Sequence, residues 1–153
     1  MRRLAMVGVL CAFGGAGGVA HAQGTGPVTD PHITDGTAQK QLDAARARWK
    51  AAGVKDYRFR AQVSCFCRPA KPRTITVRHG LPVHPPQDLA DVASVPRMFR
   101  TIQSAITGKV AAITVTYGPR GVPSRIAIDV SRQIADEERY FTIDRFVRST
   151  VKR

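Results

Sequence analysis

Hydrophobic and polar residues alternate from residue 57 to residue 67, in the sequence YRFRAQVSCFC, except that Phe66 stands at a polar position. One series begins with Tyr57 and Phe59 and ends with Cys65 and Cys67, and arginines begin the other series. A period of two over this length is typical of a strand that buries one face. We therefore predict a strand that turns both cysteines toward the interior.

Two other segments carry apolar residues at spacings of three and four, which is the period of an amphipathic helix. The segment 36–53 has a stripe that includes Leu42 and Trp49, and Gly53 stands where a left-handed C-terminal cap is expected. The second stripe begins after Ser94, a good N-cap residue, and the segment ends at Gly108. We predict a helix in each segment.

Four further segments read as strands, at residues 73–80, 110–117, 124–131 and 139–147, and the Pro-rich stretch 81–91 reads as irregular. The order along the chain is helix, two strands, helix, three strands. This order predicts an α+β domain with an antiparallel sheet of about five strands, a β-β pair followed by a β-β-β meander, and two helices packed on one face.

The first 22 residues have the architecture of a secretory signal peptide. Arg2 and Arg3 precede a long apolar run, and the small residues Ala-His-Ala stand before Gln23. We expect cleavage after Ala22, a flexible lead over residues 23–36, and a single domain over 37–153. No later segment has the length and hydropathy of a membrane span, so we expect a soluble exported protein, periplasmic or secreted.

The chain is strongly basic, with 24 Lys and Arg against 11 Asp and Glu. Such a balance favours anionic partners, although the scattered charges do not indicate specific nucleic-acid binding. We predict a partner, either a protein or an anionic envelope component, that binds the open sheet face or the Pro-rich loop. The candidate contact residues are Arg58, Arg60 and Phe66. Phosphate loops, zinc-hydrolase helices and nucleophile elbows are not found in the sequence, so we expect no cofactor and favour a non-catalytic role.

The ordered set of motifs resembles a family of exported bacterial proteins known as domain of unknown function 6174. The similar positions are Trp49, the DYRF stretch from Asp56, the Cys-x-Cys pair, Tyr117, and the segments IAID and IADEE near residues 126–138. The resemblance covers about Leu42 to Thr142. It implies export and a shared fold, and it implies no reaction.

The pair Cys65 and Cys67 admits several chemical states. Residues two apart on a straight strand lie about 6.6 Å apart, whereas a disulfide needs Cβ atoms about 3.5–4.5 Å apart. A bond therefore requires a bulge or a kink, which Pro69 makes plausible. An exported protein meets oxidants, so we predict a disulfide. The alternative hypothesis is a thiol-redox or soft-metal site, with His79 and His84 as further candidate ligands.

Overall fold

The computed structural model of the protein describes residues 28–64, 70–131 and 138–149. The helices are α1 (Pro31–Thr34), α2 (Thr37–Ala52), a 3₁₀ helix (Gln87–Val92) and α3 (Val95–Thr107). The strands are β1 (Tyr57–Ser64), β2 (Arg73–Arg78), β3 (Leu81–Pro82), β4 (Ala112–Tyr117), β5 (Pro123–Asp129) and β6 (Arg139–Arg148). The predicted signal peptide and residues Cys65, Phe66 and Cys67 lie outside the described ranges.

The strands form one antiparallel sheet in the order β3-β2-β1-β6-β5-β4. The sheet consists of two meanders, β1-β2-β3 and β4-β5-β6, which the pairing of β1 with β6 joins at the centre. The prediction of an α+β fold with an antiparallel sheet is confirmed. The sheet has six strands because Leu81 and Pro82 pair with the end of β2, in a stretch where no apolar period marks a strand.

The helices cover one face of the sheet, and the core lies between the two layers. Helix α2 buries Leu42 and Ala45, and α3 buries its whole predicted stripe, including Phe99 and Ile102. The inward strand residues in the core are Tyr57, Phe59, Ala61, Ile75, Val77, Ile113, Ile126, Ile128, Phe141 and Ile143. Side chains on alternate strand positions point away from this core. In the described part of the chain no helix covers the opposite face of the sheet, which we call the open face.

An aromatic cluster fixes α2 on the sheet. The ring of Trp49 meets the ring of Tyr57 edge-on at 5.3 Å, and it meets Phe146 edge-on at 6.0 Å. Phe146 reaches the interior because β6 carries an extra residue opposite β1, at Arg145, whose φ is +49°. Such a bulge re-aims the side chains that follow it.

The predicted helix ends are seen for both long helices. Gly53 ends α2 in the left-handed conformation with φ 59°, and the Ser94 hydroxyl accepts a hydrogen bond from the Arg97 backbone N–H at 3.4 Å. Regular structure begins before residue 37, because α1 lies within the predicted lead. The buried Asp30, 6% exposed, caps α1 and also accepts the N–H of Ile113 at 2.8 Å.

Candidate functional site

The open face of the sheet carries a group of arginines. Strand alternation directs Arg58, Arg60, Arg78 and Arg125 outward, because the residues beside them point into the core. Arg145 joins the group because it stands at the β6 bulge and lines the same shallow depression as Arg58 and Arg60. We call this group of five arginines the basic outer face.

Arg60 is held in a fixed orientation by Asp144, its cross-strand partner. Its Nε donates to Oδ1 of Asp144 at 2.8 Å, and its Nη2 donates to Oδ2 at 2.5 Å. These hydrogen bonds from Arg60 lower the pKa of the Asp144 carboxyl. A bidentate pair of this kind orients the guanidinium plane, although an exposed pair adds little stability.

Arg58 is exposed and has no hydrogen-bond acceptor among the described residues. It lines a depression of about 260 Å³ together with Arg60, Arg145, Thr74 and Val147. Thr74 stands directly opposite Arg60 on β2. The depression therefore combines three guanidinium groups with a hydroxyl on a rigid strand surface.

The described carboxylates on this side of the sheet are already hydrogen-bonded. Asp144 bonds Arg60, and Asp56, just before β1, accepts the N–H of His79 at 3.0 Å. Glu138 and Asp129 belong to the opposite end of the face, where the Tyr140 hydroxyl donates to Glu138 at 2.7 Å and the Ser131 N–H donates to Asp129 at 3.0 Å. Glu138 and Asp129 are therefore separated along the strands from Arg58, Arg60 and Arg145, whereas Asp144 and Asp56 lie near these arginines and are already hydrogen-bonded.

The sequence-predicted site residues are only partly tested by the geometry. Arg58 and Arg60 share the open face, as predicted, whereas Phe66 and both cysteines lie outside the described residues. Within the described ranges, no group of three or more His, Cys, Asp or Glu side chains is arranged to hold a metal ion. His79 and His84 are exposed turn residues with φ values of 50° and 42°.

The partner-contacting residues predicted from the sequence did not include three of the five arginines on this face, Arg78, Arg125 and Arg145. The alternation of Ile75-Val77 and of Ile126-Ile128 places Arg78 and Arg125 outward, so the signal for these two was available. Arg145 could not be found in this way, because the bulge breaks the period of two at that residue.

These features define an α+β domain whose antiparallel sheet is covered by helices on one face and is open and basic on the other. The chain belongs to the family of unknown function DUF6174, whose family model matches residues 41–148. The match confirms the resemblance predicted from the motifs. Comparisons with curated proteins and with solved structures found no match. In the part of the chain that the structure describes, no helix combines the length and the apolar character of a membrane span.

Proposed function

We propose that this protein is an exported, non-catalytic binding domain that holds a polyanionic chain of the cell envelope on its basic outer face. The observation that carries the proposal is the depression that Arg58, Arg60 and Arg145 share on the open sheet face, with Arg58 unpaired among the described residues and Arg60 oriented by Asp144. Arg78 and Arg125 are two further outward cations elsewhere on the same face. Several cations on one surface attract anions, and Arg60, which Asp144 already orients, loses little conformational entropy when it contacts one.

The chemistry of the face favours a charged polymer over a folded protein partner. Protein interfaces have an apolar and aromatic centre. The outward positions here are mainly Thr and Arg. The large hydrophobic side chains exposed on them are Leu81, on the edge strand β3, and Tyr140 and Val147, which stand seven positions apart on β6, so these three form no single apolar centre. Neighbouring strands are about 4.8 Å apart and alternate residues about 6.6 Å apart, so Arg58, Arg60 and Arg145, on the adjacent strands β1 and β6, are close enough to contact neighbouring charges of one anionic chain.

Binding to dextran sulfate, with neutral dextran as the reference polymer, tests the proposal. The variant Arg58→Ala/Arg145→Asn removes two charges from the face, and Asn tolerates the positive φ at residue 145. We expect about tenfold weaker binding of dextran sulfate at low salt. The slope of log Kd against log salt concentration should fall by about two, because each lost contact releases about one fewer counterion.

The matched control is Arg48→Ala/Lys50→Ala, which removes two exposed charges from α2 on the other side of the sheet. This variant should bind like the wild type. The proposal is refuted if the control loses as much affinity as Arg58→Ala/Arg145→Asn, because net charge alone would then explain binding. Equal binding of neutral dextran would also contradict it.

Export is part of the proposal and rests on the basic start, apolar run and small residues of positions 1–22. The intact mass of protein recovered from the cell envelope or the medium should correspond to a chain that begins at Gln23. The same spectrum, recorded with and without reductant and alkylation, tests the predicted disulfide. Alkylation of both Cys65 and Cys67 without reductant would exclude the bond, and a mass of the uncleaved chain would exclude signal cleavage.

A further inference from the structure

A second basic feature lies on the helical side of the sheet, away from the basic outer face. It is a groove of about 650 Å³ between the 3₁₀ helix, α3, and the end of β5 with the start of β6. This volume falls within the range of about 300–1,000 Å³ that small-molecule sites occupy. Because the sheet separates this groove from the outer face, its occupancy is independent of the proposed function.

Helix α3 supplies one wall of the groove. Arg97, Arg100 and Ser104 follow one another at spacings of three and four residues, so they share one side of the helix. The opposite side of α3, with Phe99 and Ile102, is packed into the core. The helix is therefore fixed, and its two arginines point into the groove from a rigid support.

Two of the three described arginines that line the groove are held by neighbours. Arg97 donates from Nη1 to the carbonyl oxygen of Ala90 at 3.0 Å. Arg139 donates from Nη2 to Oδ2 of Asp91 at 2.9 Å, and its guanidinium lies 5.1 Å from the ring centroid of Phe141. Backbone and aromatic contacts of this kind orient a guanidinium without consuming all of its five donors.

Arg100 is exposed and has no acceptor among the described residues. The lining thus contains three arginines against one described carboxylate, that of Asp91, which Arg139 already engages. The described part of the groove carries an excess of two positive charges, and this excess selects an anion.

The groove also has an apolar floor, formed by Ala105, Val110, Ile128 and Val130. Val130 is 50% exposed, so burying it under a ligand would remove apolar surface from water. A bare inorganic anion would leave this floor uncovered. A ligand that satisfies both parts of the groove has an anionic headgroup and a short apolar body.

We propose that this groove binds a small amphipathic carboxylate, with the carboxylate between Arg97 and Arg100 and the apolar body along Ile128 and Val130. Planar guanidinium groups match the two oxygens of a carboxylate, which makes such contacts directional. The apolar floor supplies the remaining affinity.

Titration of the ¹⁵N-labelled protein with hexanoate tests the proposal, and calorimetry provides the Kd. We expect saturable amide shifts concentrated at residues 97–105 and 128–130. Arg100→Ala should weaken hexanoate binding about tenfold, because it removes a charge-assisted contact at an exposed helix position that tolerates Ala. 1-Hexanol and inorganic phosphate should each bind at least tenfold more weakly than hexanoate, since each satisfies one part of the groove.

The variant Arg58→Ala/Arg145→Asn is the control, and it should bind hexanoate like the wild type. This control also separates the two proposals, because the loss of polyanion binding in that variant would leave the groove intact. Unchanged hexanoate affinity in Arg100→Ala would overturn the assignment. Shifts that do not saturate, or phosphate binding as tight as hexanoate binding, would overturn it as well.

Discussion

The carboxylate of Asp30 connects the start of the described chain to the edge of the sheet. Oδ1 accepts the backbone N–H of His32 at 2.7 Å, and Oδ2 accepts the N–H of Ile113, in β4, at 2.8 Å. The Asp30 backbone N–H donates to the carbonyl of Val110 at 3.0 Å. Asp30 therefore satisfies a buried N–H of an edge strand that has no strand partner on that side among the described residues.

We predict that Asp30→Ala destabilises the fold by about 3 kcal/mol. The N–H of Ile113 would be left buried without an acceptor, which costs about 2 kcal/mol. Loss of the N-cap of α1 adds only about 1 kcal/mol. This cost is smaller because the His32 N–H is exposed and can bind water in place of the carboxylate. For a domain of this size, about 4 °C per kcal/mol gives a fall in Tm of about 12 °C.

Urea unfolding and thermal melts of the wild type, Asp30→Ala and Asp30→Asn measure the effect. The Asn side chain keeps one acceptor oxygen, so its loss should be intermediate. Asp35→Ala is the control, since Asp35 also accepts a backbone N–H, from Thr37 at 2.8 Å, but in an exposed position. Its fall in Tm should be much smaller. Equal falls in Asp30→Ala and Asp35→Ala would refute the reasoning, because burial of the orphaned N–H would then have no weight.

Two further predictions concern contacts of the core. Gly121→Ala should cost about 3 kcal/mol in urea unfolding, because φ at residue 121 is +77° and a Cβ there would overlap the backbone carbonyl of Ala45 in α2. Tyr57→Phe should cost about 1–2 kcal/mol at pH 7, because the Tyr57 hydroxyl accepts the buried N–H of Val95 at 3.0 Å. Burial raises the pKa of Tyr57 from 10.0 to about 12. The advantage of the wild type over Tyr57→Phe should therefore be complete below pH 10 and shrink as the pH rises through 12.

Each of these changes has a matched control in the chain. Gly80 has φ +80°, but a Cβ added there would meet no described atom within 4 Å, so Gly80→Ala should cost only about 1 kcal/mol from backbone strain. Tyr117 has no hydrogen-bond partner among the described residues, so Tyr117→Phe should leave stability at pH 7 almost unchanged. A Gly121→Ala variant as stable as Gly80→Ala would contradict the contact with α2. Equal stability of Tyr57→Phe and Tyr117→Phe would contradict the role of the hydroxyl.

Elements whose signal lies within a few neighbouring residues could be predicted from the sequence. The alternation from Tyr57 to Ser64 is the observed β1, and the stripes ending near Trp49 and Ile106 are the buried sides of α2 and α3. Ser94 and Gly53 cap the helices as predicted. These features follow from local backbone geometry, which fixes the period of side chains in a strand or a helix.

The contacts between these elements depend on how the whole chain packs. The pairing of Arg60 with Asp144 joins residues 84 positions apart, and a local pattern contains no information about such a partner. The bulge at Arg145 depends on the pairing of β6 with β1, and the hydrogen bond of Asp30 depends on the position of β4 beside α1. The groove beside Arg100 exists for the same reason, because it forms only where α3 approaches the end of β5. The period of a segment determines which side is apolar, whereas packing of the whole chain determines what lies against that side.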